Sequence, residues 1–299
     1  MNRIFALPFI FLIYSATTLA SESADHNFDV HTSLVYSAAD PICQMDLFIP
    51  AGLTDAMPCV LVIQGGGFRA QNGQKFKPFA EYLARHGIAA ALIGYRGQPD
   101  HTYTKTIADV KTAVRFIRQI SADHGIDPDR IGAMGRSAGA TLAVLAATTN
   151  GNPSFVGRGE HSSYTSRLQA IVGIAGVYDF VARFEDDEQR ALQPNLDSKI
   201  LANGAWIGAE FSPENRHWQR ASARTHLDAG DPPILLLQSR DDGTVPWPQS
   251  RNFHTALQEA GIDSHFHLAE TGGHSGPEDS KARMVAFFKE ILVTSNSSP

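Results

Sequence analysis

The stretch that most constrains the fold is residues 131–140. A short apolar run, Ile131-Gly132-Ala133-Met134, leads straight into Gly135-Arg136-Ser137-Ala138-Gly139, and an Ala- and Leu-rich segment, 141–148, follows. Gly-x-Ser-x-Gly set between a strand and a helix specifies a sharp, strained reversal that lifts the serine hydroxyl above the edge of a sheet. The residues around such a reversal must be small. Gly135 and Gly139 carry no β-carbon, so the helix can close onto neighbouring strands, and Ala138 and Ala140 keep its face slim. Just upstream, Asp127-Pro128-Asp129-Arg130 reads as a turn.

Strands and helices alternate around this point. Segments 30–36 and 43–49 alternate loosely and predict two strands forming an antiparallel edge, with 21–29 as a disordered lead-in. Segments 58–63 and 88–95 are continuous apolar runs, as expected of strands covered on both faces. Further strands are expected at 168–174, 233–237 and 264–268. Helical spacing marks 77–86 through Phe79, Tyr82 and Leu83, and 106–121 through Ile107, Val110, Val114, Ile117 and Ile120; two more helices are expected at 249–260 and 279–292. This order predicts a mostly parallel sheet with helices on both faces. Ligands of such sheets sit at the carboxyl ends of the strands. Residues 175–231 are richer in polar and turn residues and are expected to contribute helices bordering the site, with a lid as one possibility.

A serine hydroxyl becomes a useful nucleophile only with a base in hydrogen-bond reach and a third group to orient that base. Two downstream features supply both, each directly after an expected strand. Gln238-Ser239-Arg240-Asp241-Asp242-Gly243-Thr244-Val245-Pro246 offers Asp242 as the orienting carboxylate, with Asp241 as its rival. Thr271-Gly272-Gly273-His274-Ser275-Gly276 offers His274, which its glycines leave room to approach Ser137. Upstream, Gln64-Gly65-Gly66-Gly67-Phe68 follows the strand at 58–63. Its backbone N–H groups suit a developing oxyanion, and we assign donors to Gly66, Gly67 and Ala138, the last at a helix N-terminus beside the serine. A phosphate-cradling loop is the weaker reading, because neither Gly-Lys-Ser/Thr nor Gly-x-Gly-x-x-Gly is present. Phe68 and Trp247 are candidate substrate-binding residues; Tyr95 and Trp206 are considered too, with core packing favoured for Tyr95.

From Met45 to His274 these motifs together resemble the α/β-hydrolase superfamily, and in particular secreted carboxylesterases of the hormone-sensitive-lipase-like and feruloyl or acetyl-xylan-esterase-like groups. The resemblance rests on Asp46-Leu47-Phe48-Ile49-Pro50, Gln64-Gly65-Gly66-Gly67-Phe68, Tyr95-Arg96 with Asp109-Val110, Gly125-Ile126-Asp127-Pro128-Asp129-Arg130-Ile131, the serine turn, Asp242-Gly243-Thr244-Val245-Pro246 and Gly273-His274. It implies ester hydrolysis through an acyl-enzyme, with acetyl or feruloyl esters of polysaccharides among the substrates. An amidase or exopeptidase relative and an inactive hydrolase fold that only binds are the competing readings. There are two departures. The loop begins with Gln64 where these families usually have histidine. Arg136 stands before the serine, where a cation favours acidic substrates if it faces the site.

Composition narrows the partners. A formal net charge of −6 gives no reason to expect nucleic acid. Arg3, the apolar run 4–14 and the small residues up to Ala20 have the layout of a secretory signal peptide cleaved after Ala20, too short for a membrane span; the mature protein, a single catalytic domain at 21–299, is expected to be secreted or periplasmic. The two cysteines, Cys43 and Cys59, are compatible with a disulfide or with burial as small apolar groups. No metal or other cofactor is implied, and the expected partner is a small-molecule or glycan-linked ester.

Overall fold

The computed structural model describes residues 27–156 and 159–294. The expected leader at 1–20 lies outside them, as does most of the lead-in. The end of the lead-in is ordered: Phe28 and Asp29 belong to the first strand.

Eight strands form one sheet: β1 (Phe28–Val35), β2 (Gln44–Pro50), β3 (Met57–Ile63), β4 (Ala89–Ile93), β5 (Ile126–Arg136), β6 (Ala170–Ile174), β7 (Ile234–Ser239) and β8 (Ser264–Ala269). Their order is β1-β2-β4-β3-β5-β6-β7-β8. β1 and β2 pair antiparallel, as does β2 with β4, and every pairing from β4 to β8 is parallel. This is the α/β-hydrolase architecture.

The continuous apolar runs are explained by two buried faces. Alternate residues Leu61, Ile63, Ala91, Ala133, Ile171 and Leu236 pack on one side against α2 (Tyr103–Ile120) and α3 (Ala138–Thr148). The intervening Val60, Val62, Ala90, Leu92, Met134, Val172 and Leu237 pack on the other, against α1 (Lys77–Arg85) and the helix Ser280–Leu292. A strand with helices on both sides favours apolar residues along nearly its whole length. Cys43 and Cys59 are both free thiols buried in the first of these layers, so the packing alternative holds and the disulfide does not form.

The expected turn at 127–130 is instead an excursion inside β5. Register runs from Met57 opposite Ile126 to Cys59 opposite Ile131, so β3 advances two residues while β5 advances five. The turn chemistry is still there: Asp127 accepts from the Asp129 N–H at 2.9 Å and from Arg130 at 2.7 Å. The pairing resumes beyond it, which a purely local reading does not foresee.

The segment at 175–231 is an insert between β6 and β7, carrying helices Ala182–Glu185, Asp187–Ala191, Leu196–Ile207 and Arg216–Ala221. Its core is aromatic. Trp218 meets Phe180, Phe184 and Phe211, and Trp206 meets Phe180 and Tyr103 of α2. Among the described residues no helix is long and apolar enough to cross a membrane.

Candidate active site

Parallel strands deliver their loops to one edge of the sheet. The β3, β5, β7 and β8 loops therefore bring Gly66, Ser137, Asp242 and His274 to the same rim. The chain runs from β3 to β4 in one direction along the sheet and from β5 to β6 in the other, and ligands of such sheets sit where those directions diverge.

Ser137 sits at φ 58°, ψ −127°, a region that a non-glycine residue occupies only when its surroundings enforce it. Its N–H donates to Ile174 O at 2.8 Å and its carbonyl accepts from the Thr141 N–H at 3.1 Å, pinning the reversal between β6 and α3. The two glycines are required by contact. A β-carbon on Gly135 would lie 2.2 Å from the Gly139 carbonyl carbon, and one on Gly139 would lie 2.0 Å from Ile63 O. The first turn of α3 thus crosses the ends of β5 and β3 at backbone distance.

The three groups meet in a row. His274 Nε2 lies 2.8 Å from Ser137 Oγ, and its Nδ1 lies 2.9 Å and 3.1 Å from the two oxygens of Asp242. The Asp242 side chain is fully buried, while the His274 side chain remains 30 % exposed at the rim. Asp242 Oδ1 accepts from the N–H groups of Thr244 and Val245 at 2.8 and 3.1 Å, and Oδ2 accepts from Gln238 Nε2 at 3.0 Å. Burial is the largest single influence on this carboxyl and pushes it up. The His274 ring and the two amides together outweigh it and hold Asp242 below the ordinary carboxylate value. The result is an ionised, immobile acceptor aimed at Nδ1, which leaves Nε2 to take a proton from the serine.

Asp241, the rival, has a different task. Its Oδ1 accepts the Gly273 N–H at 2.7 Å and so tethers the histidine loop to the acid loop. Gly272, at φ 135°, could not carry a side chain there, since a β-carbon would fall 2.3 Å from Gly276 O.

The glycine loop lies directly against the serine turn. A β-carbon on Gly65 would come 2.2 Å from Arg136 O and 3.0 Å from Ser137 Cβ, so the loop entering Gly66 and Gly67 passes beside the nucleophile. Gln64 is buried and ties the loop to its surroundings. Its side-chain oxygen accepts from the Lys75 N–H at 2.9 Å, its amide donates to Gln71 Oε1, and its carbonyl accepts the Tyr95 hydroxyl at 2.5 Å. Gln98 closes the far side, its Nε2 donating to Gly67 O at 2.6 Å and to Ala202 O of the insert at 3.1 Å.

The candidate wall residues divide differently from expectation. Phe68 is buried, not an open wall. It takes φ 64° and stacks on Trp206 with centroids 4.0 Å apart and planes at 14°. Trp206 is itself fully buried, with its Nε1 donating to Thr106 Oγ1 at 3.1 Å. Trp247 is partly exposed, and the guanidinium groups of Arg240 and Arg251 lie over its ring, each 4.7 Å from the centroid. Tyr95 is core, as favoured. Arg136 lays its guanidinium 5.0 Å over the ring of Phe76, which belongs to the packing layer on the α1 side. Gln71, Gln98 and Arg183 support the site without any motif to announce them, and Gln238 does so from the stretch that carries Asp242. Each does so through a contact of four to 104 residues' separation. Among the described residues no cluster of three or more His, Cys, Asp or Glu could hold a metal ion.

The chain is similar in sequence and fold to known esterases. The chain is 33 % identical over 211 residues to the probable carboxylic ester hydrolase LipM of Mycobacterium tuberculosis, covering 69 % of this chain and 46 % of that protein. It is 28 % identical over 251 residues to the probable isoprenylcysteine alpha-carbonyl methylesterase ICMEL1 of Arabidopsis thaliana, covering 82 % of this chain and 51 % of that one. The chain thus spans about half the length of the curated relatives it matches. Among solved structures, a truncated carbohydrate esterase from gut microbiota superposes with a TM-score of 0.80 at 25 % identity, covering 91 % of this chain and 98 % of that one. The BD-FAE family model matches residues 45–257, a span that takes in the glycine loop, the serine turn and the acid loop, and the chain belongs to that family.

Proposed function

We propose that the protein hydrolyses carboxylic esters through an acyl-enzyme. Ser137 Oγ attacks the ester carbonyl as His274 Nε2 takes its proton. The oxyanion is met by the N–H groups of Gly66, Gly67 and Ala138, each such donor contributing about 3–4 kcal/mol to the transition state. Collapse expels the alcohol, protonated by His274, and a water activated by the same imidazole releases the acid. Asp242 holds the ring in the tautomer that both steps need.

The observation that carries this reading is the unbroken Ser137–His274–Asp242 chain, with its 2.8 Å and 2.9 Å contacts. It favours an enzyme over an inactive binding fold, because a binding protein has no use for a buried carboxylate aimed at a histidine. Ester rather than amide chemistry is supported by the esterase names among the relatives. Carbohydrate-linked acyl esters, acetyl or feruloyl, are the proposed substrates, supported by the carbohydrate esterase neighbour. Export, and with it a substrate outside the cytoplasm, is part of the proposal; what supports it is the leader-like layout of residues 1–20 in the sequence.

A fluorophosphonate probe should label the wild type at Ser137, and Ser137→Ala should lose at least about a thousandfold in kcat on a short-chain aryl ester. Near-full activity in Ser137→Ala would remove the proposal. Release of acetate or ferulate from acylated glycans, set against simple acyl esters, tests the substrate class.

A further inference from the structure

Arg183 stands in the insert, on the short helix Ala182–Glu185, with no place in any motif. It is 3 % exposed. Its Nε donates to Gln193 Oε1 at 2.7 Å, and Gln193 in turn donates to the Arg183 carbonyl at 2.9 Å, so the guanidinium is clamped from its own segment. Its Nη2 reaches across to the acid loop and donates to Thr244 O at 2.8 Å. That carbonyl belongs to the same peptide group as the Val245 N–H, which donates to Asp242 Oδ1. A cation on the carbonyl end of a peptide group strengthens the N–H at its other end as a donor.

Resting on the esterase reading above, we propose that Arg183 is a positioning residue for Asp242. It fixes the acid loop through the Thr244–Val245 peptide group and supplies a buried positive charge that keeps the carboxylate ionised and aimed at His274. The insert is thereby part of the catalytic support, not only a cover over the aromatic layer. Burial lowers the Arg183 guanidinium to about 10 and Asp242 opposes that fall, so the charge is present at neutral pH.

Among the described residues, His274 and Lys199 on the helix Leu196–Ile207 are the other ionisable groups that act on Asp242, and Asp241 is next to it in sequence. Lys199 is partly exposed, and solvent screens it. Asp241 is tied to Gly273. Removing the charge at 183 makes protonation of the His274–Asp242 pair easier, whereas removing Lys199 does so far less.

The test compares Arg183→Met, Arg183→Gln, Arg183→Lys and Lys199→Met, with active sites counted by fluorophosphonate titration. Arg183→Met and Arg183→Gln should lose about ten- to a hundredfold in kcat with KM nearly unchanged, since the group does not touch substrate. The acidic limb of kcat/KM should move up by roughly half a pH unit or more. Arg183→Lys should keep the limb in place, and Lys199→Met should move it little. If Arg183→Met does not fold, the Gln and Lys pair carries the same contrast. A limb that stays put in Arg183→Gln, or a loss confined to KM, overturns the proposal. If Ser137 itself is unlabelled in the wild type, the esterase reading fails instead, and the two failures are told apart.

Discussion

Truncating Trp206 tests how the insert and the glycine loop depend on each other. The indole is fully buried and stacked on Phe68 at 4.0 Å, with a tilted contact to Phe180, an edge contact to Tyr103 and a hydrogen bond to Thr106. Trp206→Ala should cost about 3–5 kcal/mol for the lost burial and the cavity. Leaving Thr106 without its donor adds about 1 kcal/mol. In a protein of this size each kcal/mol lowers Tm by about 2–4 °C, so a fall of roughly 10–20 °C is expected. The catalytic effect is separable. Phe68 is held at φ 64°, a conformation costing on the order of 1–3 kcal/mol, by the Trp206 stack together with its Phe180 contact and the Gln98 N–H that donates to its carbonyl at 2.9 Å. Freed, the loop relaxes by about that amount and the competent arrangement of Gly66 and Gly67 becomes a minority. Loss of about 1–2 kcal/mol corresponds to roughly a five- to thirtyfold fall in kcat. The assay is kcat per titrated active site, measured well below the variant's own Tm. A variant that melts early but turns over at the wild-type rate would refute the link between stack and loop. A Tm within a few degrees of wild type would refute the packing argument itself.

Two further outcomes follow from the site and the core. Asp242→Asn should lower kcat by about four orders of magnitude, because an amide cannot hold His274 in the required tautomer. Its folded-state carboxyl is depressed, so the stability it contributes is fully present above the unfolded value of about 3.9 and disappears as pH falls through the lower folded one. Thermal melts of wild type and Asp242→Asn should therefore differ at pH 7 and converge below about pH 4; an undiminished gap in acid would contradict the electrostatic account. The thiols of Cys43 and Cys59 are buried and pushed up to about 12 by that burial. Iodoacetamide at pH 8 should leave both untouched in the native protein and modify both after denaturation without reductant; failure to modify them once unfolded would mean a disulfide after all.

Much of the rim was legible in the chain because its chemistry is carried by residues adjacent to strand ends. Gly135 and Gly139 announce the serine turn, since a crossing at backbone distance excludes every side chain. Asp242 and His274 each follow a strand, the apolar β7 and the more polar, half-exposed β8, and the parallel sheet does the rest by putting those ends on one edge. What local pattern could not give is anything settled by a partner far away in sequence. Asp241 and Asp242 are indistinguishable as neighbours, and only the position of the β8 loop decides that one holds His274 and the other Gly273. Phe68 and Trp247 looked alike as aromatic residues in loops. One is covered by a tryptophan 138 positions on, the other is partly exposed and contacted by two arginines. Arg136 and Arg183 are both partly or wholly buried cations near the serine and acid loops, yet the fold turns the first onto Phe76 and the second onto Thr244. Periodicity and turn chemistry act over a few residues and so fix the elements and the order of the reactive groups. Which way a side chain faces is decided by long-range packing, and only the assembled sheet with its insert supplies that.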